Sequence, residues 1–275
     1  MIWCETLDAL FSILFPAPCR ICGETLLTAS AIPICAPCLD SFEKLSGPAC
    51  GRCGRPFISP VAAQMQVPLC HLCRRGVYAF DLARSFATYN DAMARTVTLL
   101  KYEAVTRLGN WFASRLSELV SQHPETTPAD VVVPVPLHPL RLRERGYNQA
   151  ELIARPLAKL LHLPLRSYLL VRTKPRPDKH RLTRQERWRT VRGAYATRHG
   201  TRVDKLRILL VDDVFTTGAT LDACSRALRS AGASRVVGLT VARVLPNWSP
   251  GGPVAATDAQ SIEANQSVAA GILHK

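Results

Sequence analysis

The apolar and polar positions of this chain alternate between strand-like and helix-like patterns. The run Ile208-Leu209-Leu210-Val211 is closed by Asp212 and Asp213, the mark of a buried strand whose carboxyl end opens at a site. Beyond it Leu221, Cys224, Leu228 and Ala231 recur at helical spacing. Val131-Val132-Val133 predicts a second buried strand, ending in Pro134-Val135-Pro136 and followed by a loop and a helix to about residue 161, with Gly146 and Asn148 near its start. Residues 80–89 alternate as a strand does. Helices are expected over 92–102 and 105–121, with Val97, Leu100, Leu108, Phe112, Leu116 and Leu119 turned inward. Further strands are expected over 167–171, 193–197 and 235–243. Strands alternating with helices predict an α/β fold with a mainly parallel sheet and ligands at the carboxyl ends of its strands.

The two ends break this pattern. Residues 1–15 carry an apolar stripe of Trp3, Leu7, Leu10, Phe11 and Leu14, with Glu5 and Asp8 on the other face. An amphipathic helix laid on the fold is expected there, not a signal peptide, since a basic leader region is lacking. From residue 246 the chain is rich in Gly, Ala, Ser and Pro, and disorder is expected. No apolar run approaches a membrane span, and a cytosolic location with reduced thiols is expected.

Cysteine spacing adds a second unit over 16–76, ahead of the long domain expected over 77–245. Eight cysteines form four C-x-x-C pairs: Cys19/Cys22, Cys35/Cys38, Cys50/Cys53 and Cys70/Cys73. Each such turn aims two thiolates at one centre, and two turns complete a tetrahedral shell suited to Zn²⁺. Twelve residues separate the first two pairs and sixteen the last two, as in zinc ribbons. Sequential pairing gives two structural zinc sites; spacing alone also allows interleaving. Little apolar sequence lies in this stretch, so metal is expected to be needed for it to fold.

Charge concentrates the picture further. The chain carries a formal net charge of +14, and residues 166–207 hold fourteen Lys/Arg against three acids. Residues 172–192, with Lys174, Lys179, Arg181, Arg184 and Arg187 and a single Trp188, are expected to form a mobile basic loop over the site. It suits a polyanionic phosphate ester, or a nucleic-acid backbone with Trp188 as a stacking surface.

The candidate chemistry sits where strand 208–211 meets its helix. Thr216, Thr217, Gly218 and Thr220 are small or hydroxylated, and a helix N-terminus presents N–H groups to an anion. Gly218 allows close approach. Asp212 and Asp213 cannot face that same anion and suit sugar hydroxyls as paired acceptors. This run resembles the phosphoribosyl-diphosphate loop of type I phosphoribosyltransferases, which implies Asp212 and Asp213 on the ribose diol and Thr216, Thr217, Gly218 and Thr220 around its 5′-phosphate. A second strand–loop–helix, with His138, Arg141, Arg143, Arg145, Gly146 and Asn148, offers another anion site, where that resemblance puts the diphosphate.

Val133 to Gln149 resembles the V-P-V-P-x-H-x-x-R-x-x-x-R-G-[YF]-N-Q run of the ComF family of competence-associated proteins. Two departures stand out. Lys101-Tyr102-Glu103-Ala104 replaces the family's Lys-Tyr-x-Gly, and Lys179 and Thr190 stand where a later motif has glutamine and asparagine. The resemblance covers about residues 10–245. It implies a double zinc ribbon followed by a sheet of the type I phosphoribosyltransferase kind, phosphoribosyl diphosphate bound with Mg²⁺, and a link to uptake of transforming DNA. Two functions are open: phosphoribosyl transfer to an unknown acceptor, or a non-enzymatic accessory role binding single-stranded DNA among other competence proteins.

Overall fold

The computed structural model describes residues 17–26, 30–57, 68–175 and 183–245; the helix expected at 1–15 and the disorder expected from 246 lie outside them. Two short helices, α1 (Ala36–Asp40) and α2 (His71–Arg74), belong to the cysteine-rich segment. The main domain follows as β1 (Leu82–Thr88), α3 (Asp91–Tyr102), α4 (Leu108–Gln122), β2 (Val131–Pro134), α5 (Pro139–Arg145) and α6 (Gln149–Leu160). It continues with β3 (Leu170–Arg172), α7 (Arg184–Val191), β4 (Tyr195–Thr197), β5 (Arg207–Phe215), α8 (Ala219–Ser230) and β6 (Arg235–Arg243).

β1, β6, β5 and β2 form one sheet in that order, every pairing parallel. The apolar runs read from the sequence are its central strands, and alternate residues feed opposite layers. Leu209 and Val211 pack with Leu100, Phe112 and Leu157 from α3, α4 and α6. Ile208 and Leu210 pack with Leu221, Cys224 and Leu228 of α8. α4 crosses α6 closely at Gly109, where a Cβ would stand 2.5 Å from the Leu152 carbonyl oxygen. The α/β, mainly parallel architecture behind a double zinc-ribbon segment is thus the observed one.

The cysteine-rich segment shares the core of the sheet domain. Leu26, Ile34 and Phe42 are buried with the helices of the first layer, and Phe42 meets Trp111 edge-on at 5.5 Å. Its chain also covers the edge of β1: the Leu45 amide donates to the Phe86 carbonyl at 3.1 Å, and that of Thr88 to the Glu43 carbonyl at 2.8 Å. An exposed sheet edge is thereby paired.

Four elements differ from expectation. β5 runs on through both aspartates to Phe215, because its ladder with β6 continues through Asp212↔Thr240 and Phe215↔Arg243. Residues 139–145, expected as loop, are helix α5, with Pro139 at its first position and Gly146 closing it at φ +80°. Residues 184–191, expected within a mobile loop, are helix α7, started by a capping box of Thr183 and Glu186. The strand expected at 167–171 is β3, displaced to Leu170–Arg172; it pairs antiparallel with β4 outside the main sheet.

Candidate functional site

Asp212 and Asp213 are 8% and 5% exposed, near the carboxyl end of β5. Asp213 Oδ2 lies 2.7 Å from Lys101 Nζ at the end of α3. Asp212 accepts the Asp213 amide at 2.9 Å on its own Oδ1 and feels the charge of Arg172 from β3. The two carboxylates thus have different direct partners, and both feel the charge of Lys101.

The electrostatics follow from that burial. Removal from water, reinforced by the charge of Asp213, pushes the Asp212 carboxyl up to about 7. Burial works against the Lys101 ammonium, but Asp213 and then Asp212 outweigh it, so that Lys101 holds its proton more tightly than usual. Burial also raises the Tyr89 phenol, which feels Lys101, Asp213 and Arg187. Lys101, Tyr89 and Arg172 thus approach the acids from three separate segments. From the sequence Lys101 is part of a motif and no more; its ion pair with Asp213 joins residues far apart in the chain, and local periodicity does not carry such a signal.

Thr216, Thr217 and Gly218 turn the chain from β5 into α8. The amides of these three residues have no protein acceptor among the described residues. Thr216 is exposed, and Thr217 and Thr220 are half-buried. Gly218 sits at φ +79°, and a Cβ there would stand 2.6 Å from Phe215 Cζ and 2.7 Å from Tyr78 Cε1. Only glycine fits this corner. The Tyr78 hydroxyl holds the turn from beneath, donating to the Thr217 carbonyl at 3.0 Å. The arrangement gives a fixed loop with open N–H donors at a helix N-terminus, suited to an anion.

The second expected anion loop is largely engaged in its own structure. His138 caps α5, with Nδ1 accepting the Leu140 amide at 3.4 Å. Asn148 caps α6, accepting the Ala150 amide at 3.1 Å and donating to the Val135 carbonyl at 3.0 Å. Arg145 donates to Gln149 and lies over the Tyr102 ring at 4.9 Å. Tyr147 donates to the Leu100 carbonyl at 2.6 Å, so this loop and Lys101 share the same end of α3. Arg141 makes a surface pair with Glu144, and Arg143 is exposed. Ala104, in place of the family's glycine, takes a left-handed φ of +54°.

In the basic stretch, Lys179, Arg181 and the side chain of Arg184 lie outside the described part. Lys174 donates to the Arg192 carbonyl at 3.3 Å. α7 docks through Trp188, stacked on Tyr78 at 6.0 Å, which takes up one face of the expected stacking surface. Between α7, β4 and α8 lies a groove of about 920 Å³ whose lining includes Arg189, Arg192 and Arg226.

The cysteines gather sequentially. Cys19, Cys22, Cys35 and Cys38 form one group and Cys50, Cys53, Cys70 and Cys73 the other, with the sulfurs of each within 4.8 Å of one another. The Cys22–Cys35 and Cys53–Cys70 sulfur separations are both 3.7 Å. That is the edge of a tetrahedron with bonds of about 2.3 Å, the Zn–S length. Backbone amides of Cys35 and Cys70 point at the Cys19 and Cys50 sulfurs from 3.4 and 3.3 Å, favouring thiolate. Both groups fit structural zinc. The second is fully buried, while the first includes the exposed Cys22. Cys224 is buried on α8 and packs as a small hydrophobe, and among the described residues no helix is long and apolar enough to cross a membrane.

Residues 10–75 match the family of double zinc ribbon domains. The chain is 30% identical over 213 residues to Competence protein ComFC of Bacillus subtilis, covering 76% of this chain and 84% of that one. It is 30% identical over 236 residues to Competence protein ComFC of Streptococcus pneumoniae, covering 82% and 99%. Over 225 residues it is 28% identical to the DNA utilization protein YhgH of Escherichia coli, covering 80% and 94%. Among solved structures it is similar to the glutamine phosphoribosylpyrophosphate amidotransferase of B. subtilis, at 24% identity and a TM-score of 0.31 over 49% of this chain and 25% of that one. A purine phosphoribosyltransferase of Pyrococcus horikoshii is similar at 14% identity and a TM-score of 0.32, over 54% and 95%.

Proposed function

This chain belongs to the ComF family of competence proteins, and on that footing we propose that it binds phosphoribosyl diphosphate with Mg²⁺ where β5 passes into α8. One observation carries the reading: a turn with three open amides, Thr216 to Gly218, follows directly on a strand end that holds two carboxylates. The 5′-phosphate takes the amides and the hydroxyls of Thr216, Thr217 and Thr220. The ribose hydroxyls take the carboxylates, and Asp213 gives up its contact with Lys101 to accept one. Arg141 and Arg143, which α5 leaves near the surface, reach the diphosphate. Asp212 and Asp213 would offer hard oxygen donors to Mg²⁺ bound with that diphosphate, where the ion would supply neutralising charge. Calorimetric titration of the zinc-loaded protein with phosphoribosyl diphosphate tests the reading. Saturable binding that needs Mg²⁺ supports it; no heat at millimolar ligand rules it out. Release of diphosphate on adding candidate acceptor bases then separates a transferase from a binder.

The groove beside α7 favours a second reading, an accessory protein for single-stranded DNA acting with other competence proteins. Its lining combines the apolar Val191, Ala223 and Ala227 with Arg189, Arg192 and Arg226, of which Arg226 is paired with Asp222, and suits bases beside a phosphate backbone. Neutralising Arg187, Arg189 and Arg192 is expected to flatten the salt dependence of single-strand binding. DNA affinity that is absent, or indifferent to those changes, removes this reading.

A further inference from the structure

Arg243 ends β6 and is 4% exposed. A guanidinium keeps its charge inside a protein, and burying one without a counter-charge is costly. Among the described residues no carboxylate pairs with it. Instead Nη1 donates to the Cys53 carbonyl at 2.8 Å, and Nη2 points at the Cys53 sulfur from 3.5 Å. The guanidinium also lies 4.0 Å from the centre of the Phe215 ring. Four neutral thiols supply no counter-charge. A tetrathiolate zinc centre does, because its four thiolates outnumber the charge of one Zn²⁺.

From Arg243 the contacts run on to the turn before α8. Phe215 closes β5, and its ring edge fills the space in which a Cβ on Gly218 would stand. A second route runs parallel. Arg52, inside the third C-x-x-C pair, donates to the Phe80 carbonyl at 3.0 Å and the Tyr78 carbonyl at 2.8 Å; the Tyr78 hydroxyl in turn holds Thr217. Among the described residues the first cysteine group meets the main domain through exposed charged contacts, Arg20 with Glu103 and Arg95 Nη1 donating to the Ile21 carbonyl at 3.1 Å, neither of which reaches the turn before α8.

We propose that Arg243 is the charge partner of the second zinc centre and, through Phe215, a positioning residue that makes the order of the Thr216–Gly218 turn depend on metal at Cys50, Cys53, Cys70 and Cys73. The coupling does not depend on which anion the turn binds. Outer-shell partners of this kind set metal retention within a factor of about 10 to 100.

The test follows hydrogen exchange by mass spectrometry in the full-length, zinc-loaded protein while a chelator withdraws metal, with alkylation reporting which cysteines are freed. Exchange at residues 213–220 is expected to rise in step with release of the second centre and not with release of the first. Arg243→Met is expected to lose one zinc about 10- to 100-fold faster while the first centre is unchanged, and Arg243→Lys, which keeps a charge, to recover part of the retention. Wild-type release rates in Arg243→Met, or a turn that stays protected after the second centre empties, would overturn the proposal. Should Arg243→Met not fold, the wild-type withdrawal decides alone.

Discussion

Lys101 Nζ stands 2.7 Å from Asp213 Oδ2, joining the last turn of α3 to the end of the central strand. The carboxylate side is 7% exposed and the lysine side 21%, so the pair lies in a partly water-excluded place. Removing the lysine strands a buried charge. Lys101→Met is expected to cost ~2 kcal/mol, less than the ~3–5 kcal/mol of a fully buried pair, because Lys101 keeps some contact with water. In Asp213→Asn the same lysine substitution should cost much less. Urea unfolding of the two single variants and the double variant measures the coupling; additive effects would show that the contact contributes no stability.

Gly218 bears on the turn itself. An alanine there must hold φ +79° and also displace the rings of Phe215 and Tyr78. The left-handed backbone costs about 1–2 kcal/mol and the crowding about as much again. Gly218→Ala is therefore expected to lower stability by roughly 2–4 kcal/mol and to abolish anion binding at the turn. A variant that unfolds and binds like wild type would place the anion elsewhere.

Asp212 imposes a pH dependence whose sign is unusual for a carboxylate. Its folded-state pKa of about 7 lies above that of an unfolded aspartate, so between about pH 4 and 7 the folded protein holds a proton that the unfolded chain has released. This group's contribution to stability is present at low pH and declines as pH rises through that window. Asp212→Asn keeps the acceptor for the Asp213 amide and removes the ionisation, and should flatten this decline in a pH series of urea unfolding. Binding that needs the carboxylate strengthens as Asp212 ionises in the folded protein, from about pH 6 towards 8. Curves of wild type and variant that run parallel would contradict the burial argument.

Much of this was legible in the chain. Buried parallel strands announce themselves as apolar runs, and β6 was expected over the residues it occupies, because a strand covered on both faces needs no alternation to be seen. The cysteine pairs were equally plain, since C-x-x-C geometry is local; only their sequential grouping required the fold. The misread segments depend on context. Asp212 and Asp213 look like the end of a strand, but β6 carries the ladder past them. Residues 184–191 are too polar for an apolar stripe; α7 rests on the Thr183–Glu186 cap and on Trp188 meeting Tyr78. The roles of Lys101 and Arg243 come from partners more than a hundred residues away, and short spacing rules do not reach that far.

The central claim is that the end of β5 and its turn hold a phosphorylated pentose. The most direct measurement is a paired calorimetric titration of phosphoribosyl diphosphate and Mg²⁺ into wild type and Asp212→Asn/Asp213→Asn, both with full zinc content and matching circular dichroism. The account expects saturable one-to-one binding by wild type and none by the double variant. A double variant that binds as wild type does, or a wild type that does not bind, would contradict it.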